Sequence, residues 1–221
     1  MISFANIFDI APSWHAVTRL GQSEIVLPAA MLAIAVLFVN SETRVLALRW
    51  MVGLAFAALI TLATKLAFIG WGIGWTAIDF TGISGHAMCA AATYPILFLA
   101  LGSGRSLRWI VALQVIAWSL VVAVAVSRIM VGAHSPSEVV AGLLLGGAVS
   151  VLAMTGSRQL TFAVHPVAIF VLLVWFSMGS GEMPPSQTHS RITSLALRIS
   201  GRTAPFKRAD VRIHTINFQH I

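Results

Sequence analysis

Apolar residues run almost unbroken through six stretches of the chain, at approximately 24–40, 48–70, 86–102, 107–127, 137–155 and 160–178. Each comes close to the roughly 17–25 residues that a helix needs to cross the hydrocarbon core of a bilayer. Turn-forming and polar residues separate them: Asn40-Ser41-Glu42, the stretch 70–82, Gly102-Ser103-Gly104, the stretch 132–136, and Gly156-Ser157. The pattern predicts an all-α fold, a polytopic membrane bundle of about six transmembrane helices over 24–178, with no internal repeat. Residues 1–23 read as an N-terminal interfacial segment. Their start, MISFANIFDIAPSWHAV, has neither the positive n-region nor the small-residue cleavage site of a signal peptide, so it is expected to be mature sequence. Residues 179–221 mix Pro, Ser, Thr and basic residues with a short apolar run at 192–199. They read as a basic, flexible or surface-bound tail without catalytic content.

Composition agrees with membrane embedding. Of 221 residues, 58% are hydrophobic and only 10% charged, with a mean hydropathy of +0.90. A soluble domain carries about 25% charged residues, so this chain has too little polar surface to cover a water-soluble globule. The single cysteine, Cys89, lies inside an apolar run and excludes an internal disulfide. A net charge of +7 raises the question of nucleic acid, but the distribution argues against it. Six of the fourteen basic residues lie in the tail from Arg191 onward, and most others flank apolar segments. Flanking charge sets orientation: Arg44, Arg49, Arg105, Arg108 and Arg158 fall in the connections after the first, third and fifth stretches, which the positive-inside rule assigns to the cytoplasm. The other connections and both termini then face outward, and the basic tail sits uneasily with that assignment.

Polar residues at the outward ends of the stretches carry the candidate chemistry. They are Lys65, Ser84, His86, Arg128, His134 and Glu138, all at one face if the parity holds. Taken singly, Lys65 reads as a snorkelling lysine, Arg128 as an interfacial anchor and Glu138 as a helix-start acid. Together, two histidines, two cations, a hydroxyl and a carboxylate at one depth suit an anion, since ionisable groups within a membrane otherwise cost energy. Arg128 can grip a phosphate with a bidentate fork, Lys65 adds a point charge, and N–H groups around Gly85 lie at the positive end of a helix dipole. One histidine can attack phosphorus while the other protonates the leaving oxygen. Glu138, four residues after His134, shares its face and can fix its tautomer. His15, His165, His189, His214 and His220 have no such company, and no ligand spacing suggests a metal. No cofactor is implied.

The ordered residues resemble the type 2 phosphatidic acid phosphatase superfamily, whose signature runs Lys-x6-Arg-Pro, Pro-Ser-Gly-His, then Ser-Arg-x5-His-x3-Asp. The second block corresponds to Thr81-Gly82-Ile83-Ser84-Gly85-His86 and the third to Ser127-Arg128 through His134 to Glu138. The resemblance extends from Lys65 to about residue 147. It implies a helical core with the site at the outer membrane face, His134 as the nucleophile that becomes phosphohistidine, His86 as general acid and Glu138 as orienter. Lys65, Ser84, Gly85 and Arg128 would hold the phosphate. Family substrates include phosphatidic acid, phosphatidylglycerol phosphate and isoprenyl diphosphates. Three positions depart from the pattern: Gly72 stands where the first block has arginine, Glu138 replaces aspartate, and Ile83 replaces proline.

The expectation is therefore a metal-independent hydrolase of a lipid phosphate or diphosphate, in a bacterial inner or cell membrane, with no nucleic-acid partner. Two other readings are a catalytically impaired binder of anionic lipids, favoured by the lost arginine, and a phosphotransferase. The outer loop at 70–82, with Trp71, Trp75 and Asp79, would shape the pocket.

Overall fold

The computed structural model describes residues 11–155 and 188–210. Seven α-helices account for most of them: α1 (Ala11–Arg19), α2 (Ser23–Val39), α3 (Arg44–Trp71), α4 (Gly85–Leu101), α5 (Leu107–Met130), α6 (Pro136–Met154) and α7 (Thr188–Ser200). Three of these, α3, α5 and α6, are long and apolar enough to cross a membrane, and α2 and α4 are shorter apolar helices of 17 residues. The chain is an α-helical membrane protein, as the apolar pattern predicts. Five of the six predicted stretches are helices whose ends lie within four residues of those expected. The sixth, 160–178, falls outside the described residues, as do Arg158, His165, His214 and His220.

Local chemistry sets the helix ends that matter for the site. Helix α3 stops at Gly72, which has φ +71; its N–H bonds Phe68 O at 2.8 Å and the next N–H bonds Ala67 O at 3.2 Å. That is the reciprocal pairing by which a left-handed glycine closes a helix. Helix α6 begins with a capping box, Ser135 and Glu138 each bonding the other's backbone N–H, and Pro136 takes the first-turn position where its missing N–H costs nothing.

Helix α4 is the axis of the bundle and packs on α2, α3, α5 and α6. Its buried face is built of small residues, Ala87, Ala90, Ala91 and Ala92, so neighbouring backbones approach closely. A Cβ added at Gly142 of α6 would lie 2.6 Å from Ser84 O, and one at Gly146 would lie 2.2 Å from Met88 O. The contact is close enough for a backbone bond between helices, Ser84 N–H to Glu138 O at 3.1 Å. Trp50 of α3 is fully buried and donates its indole N–H to Ala92 O at 2.8 Å.

Two short amphipathic helices flank this core at one end. Helix α1, in the segment expected to lie at the interface, packs on α5. Helix α7 packs on α3, burying Ala196 against Phe68 and Ile69. Within the tail, residues 188–200 form helix α7, lying against α3. Composition suggested solvation because the apolar residues of α7, Ile192, Leu195, Ala196, Leu197 and Ile199, are interspersed with Ser, Thr and Arg.

Candidate active site

The alternation of helix directions brings the C-terminal ends of α3 and α5 together with the N-terminal ends of α2, α4 and α6. Lys65, Ser84, Gly85, His86, Arg128, His134 and Glu138 all lie at this end, whereas Arg44, Arg49, Arg105 and Arg108 lie at the other. Gly85 opens α4, and a Cβ there would stand 3.7 Å from Lys65 Nζ, so the ammonium faces the helix N-terminus. His86 lies in the field of Arg128, Lys65 and His134 together. Seven residues from four helices and two connections thus gather at one end.

His134 sits in the turn between α5 and α6, with its N–H on Arg128 O at 3.2 Å. Its Nδ1 is 2.7 Å from Glu138 Oε2. With the proton on Nδ1, that contact leaves the Nε2 lone pair for attack. The longer acid at 138 therefore reaches the ring where aspartate is usual. Burial lowers the pKa of His134, and the hydrogen bond to Glu138 only partly offsets this. The net direction favours the neutral imidazole.

Glu138 is fully buried and heavily bonded. It accepts from Thr81 N–H at 2.7 Å, the Thr81 hydroxyl at 2.5 Å and Ser135 N–H at 3.1 Å. Arg208, from the segment after α7, adds Nη2 at 2.9 Å to each carboxylate oxygen. Arg128 in turn donates to the Thr18 hydroxyl of α1 at 2.6 Å. Thr18, Thr81 and Arg208 were not among the expected site residues. Thr81 opens the second motif block, though nothing in the sequence gives it a role; Thr18 and Arg208 carry no local signal.

Several buried donors at this end have no hydrogen-bond partner among the described residues: Ser84 Oγ and Arg128 Nε, and also Thr61 Oγ1, Trp14 Nε1 and Ser200 Oγ. Buried polar groups are nearly always paired, so an unpaired hydroxyl and guanidinium N–H at one end of the bundle fit an anionic ligand.

The first-block departure has a structural counterpart. Gly72 needs its left-handed backbone, and a Cβ there would lie 3.1 Å from the ring of Phe206. Phe206 is seated by its N–H on Ile69 O at 3.0 Å. Gly72→Arg is therefore expected to destabilise by about 1–3 kcal/mol, through backbone strain and displacement of the ring, and to leave phosphate release no higher than wild type. Thermal unfolding in detergent and a phosphate-release assay on the same preparation check both halves.

The fold defines an α-helical membrane protein in which two histidines and the polar groups around them gather at one end of the bundle. The chain belongs to the PAP2 superfamily, whose family model matches residues 71–162. That match takes in the second and third motif blocks and leaves Lys65 outside it. A Klebsiella pneumoniae relative, described as an uncharacterized 22.5 kDa protein in cps region, is 34% identical over 205 residues, covering 90% of this chain and 97% of the relative. No solved structure matches. Membership supports a phosphatase-type function on a phosphoester, in a membrane.

Proposed function

We propose that the protein is a phosphatase that hydrolyses a phosphomonoester or diphosphate of a lipid through a phosphohistidine at His134. The observation that carries this reading is the 2.7 Å contact of His134 Nδ1 with buried Glu138, in a site that also holds the unpaired donors Ser84 Oγ and Arg128 Nε. Lys65 Nζ, Arg128, Ser84 Oγ and the N–H groups at the start of α4 grip the phosphate oxygens. His134 Nε2 attacks phosphorus, forming a P–N bond as the bond to the leaving oxygen breaks. Protonated His86, favoured by the incoming negative charge, gives its proton to that oxygen. Water then attacks the phosphohistidine, its proton returns to His86, and the P–N bond breaks. Glu138 holds the Nδ1 proton and stabilises the charge that forms on the ring.

A lipid substrate fits the surroundings. Trp71, Ile73, Trp75 and Ile78 leave large apolar areas exposed beside the site, as residues at a membrane interface do. The arginines of the helix connections at the opposite end support an outward, periplasmic or exterior, site on a cell membrane. Phosphatidic acid, phosphatidylglycerol phosphate and isoprenyl diphosphates form the natural test panel.

Purified protein incubated with this panel in the presence of a chelator is expected to release phosphate, because no step calls on a metal ion. Rapid acid-free quenching with labelled substrate should trap an alkali-stable, acid-labile phosphoprotein. No release from any member would overturn the reading. Head-group binding without turnover would indicate a lipid binder, and discharge to an added acceptor instead of water a phosphotransferase. The pH profile gives a further check. Because burial lowers the pKa of His134, the acid limb of kcat/KM is expected below the ordinary imidazole value of 6.5. The neutral nucleophile persists as pH falls through that value, and activity is lost only lower; a limb at 6.5 or above would contradict it.

A further inference from the structure

We infer that Arg208, delivered by the C-terminal segment, is a positioning residue that holds the Glu138 carboxylate in the orientation from which it directs the His134 ring. The inference rests on the phosphatase reading and concerns a residue outside every motif block. Among the described residues, Arg208 is the cation in direct contact with Glu138. Its Nη2 lies 2.9 Å from both carboxylate oxygens, and its Nη1 donates to Asp79 Oδ2 at 2.6 Å and to Asp79 O at 3.3 Å. One guanidinium therefore ties the outer loop to the carboxylate that contacts the imidazole.

Several independent contacts bring Arg208 there. Helix α7 buries Ala196 against α3, and Phe206 then bonds Ile69 O and lies over Gly72. Arg202 stacks on the Phe206 ring at 4.0 Å. A side chain at position 72 would collide with this ring, so the glycine that breaks the first block also makes room for the segment carrying Arg208. Glutamate has one more rotatable bond than aspartate, and a buried carboxylate needs a fixed set of donors. Arg208 supplies a charged donor that spans both oxygens. It bonds the carboxylate, and among the described residues no hydrogen bond joins it to His134, so it acts through Glu138 as a positioning residue.

The charges that bear on His134 come from every side: Glu138 on α6, Lys65 on α3, Arg128 on α5, His86 on α4, and Arg208 with Asp79 behind the carboxylate. Removing Arg208 leaves the negative charge of Glu138 acting on the imidazole unshared. His134 then protonates at higher pH while its orientation loosens. A mere tether for the tail would produce neither effect.

The test compares wild type, Arg208→Gln, Arg208→Lys, Glu138→Gln and the double variant Glu138→Gln/Arg208→Gln as full-length protein in detergent. Arg208→Gln is expected to lower kcat by about tenfold, with KM changed by less than about twofold, as for outer partners of a reacting group. Its acid limb should move to higher pH, and Arg208→Lys should recover part of the rate. In the Glu138→Gln background the same substitution should have no further effect. An unchanged kcat and pH limb, or an equal loss with and without Glu138, would overturn the inference. A titration of His134 by NMR with labelled histidine reads the same coupling without turnover. An upward shift in Arg208→Gln supports the inference even if no lipid phosphate proves to be a substrate, and an unmoved titration overturns it even in an active enzyme. Inactivity of wild type towards the whole panel would count against the phosphatase reading alone.

Discussion

Replacing His134 with alanine is expected to reduce lipid-phosphate hydrolysis by about 10⁴-fold or more, because removing a nucleophile deletes the covalent route outright. The residual rate would be what the anion grip alone supplies by holding and polarising the phosphate. Substrate binding should survive, since Lys65, Ser84 and Arg128 come from other elements. The His134 side chain is 15% exposed and stands in a turn, so its loss leaves the helix contacts of the bundle in place. Phosphate release, phosphoprotein trapping and binding of labelled lipid on one preparation would separate chemistry from affinity. Release by His134→Ala at the wild-type rate from every substrate would end the phosphohistidine mechanism.

The second large effect is structural. Gly146 faces α4 so closely that a Cβ would meet Met88 O at 2.2 Å, Ala91 Cβ at 2.9 Å and Ala92 N at 3.0 Å. Two of those atoms are backbone, so no side chain can swing aside. Gly146→Ala is expected to destabilise by about 2–3 kcal/mol, and Gly146→Val to prevent recovery of folded protein. The neighbouring Gly147→Ala is the control: its Cβ would meet only the edge of Trp118, at 3.5 Å. It should be neutral within about 0.5 kcal/mol, or gain slightly from helix propensity. Thermal unfolding of Gly146→Ala and Gly147→Ala in one detergent, with the yield of folded Gly146→Val, decides the matter. The effect should reach the chemistry as well, because the bond from Ser84 N–H to Glu138 O depends on the same close approach. Gly146→Ala protein that folds should therefore lose activity beyond its loss of stability.

Much of the architecture could be read in the chain because membrane helices announce themselves. An apolar stretch bounded by glycine and polar residues has few other structures open to it in lipid, and the stretches at 86–102 and 107–127 became α4 and α5 with small end corrections. The four-residue spacing anticipated the contact between His134 and Glu138, although His134 lies in the turn before α6 and Glu138 reaches back to it from the capping box and not along a helix face. What stayed hidden depended on distance along the chain. Arg208 meets Glu138 across 70 residues and Thr18 meets Arg128 across 110, and neither has a sequence neighbour that hints at its partner. Gly72 illustrates a different limit. Against the family pattern it reads as a missing arginine, whereas the fold uses it as a left-handed helix stop beneath Phe206. The tail was hard to read for a related reason: the apolar residues of α7 are diluted by the Ser, Thr and Arg that surround them in sequence.

The reach of Arg208 back to Glu138 also bears on how the protein is made. A ribosome adds residues at about 5–20 per second, so the 70 residues between them take roughly 4–14 s to synthesise. During that interval the helices that bear the histidines can already be in the bilayer and paired, while the carboxylate between them still lacks its guanidinium. Assembly of the bundle and maturation of its reactive centre are thus separate events in biogenesis. A nascent chain arrested between the two would be inserted and helical, yet its outer loop would not be fastened to Glu138 through Arg208.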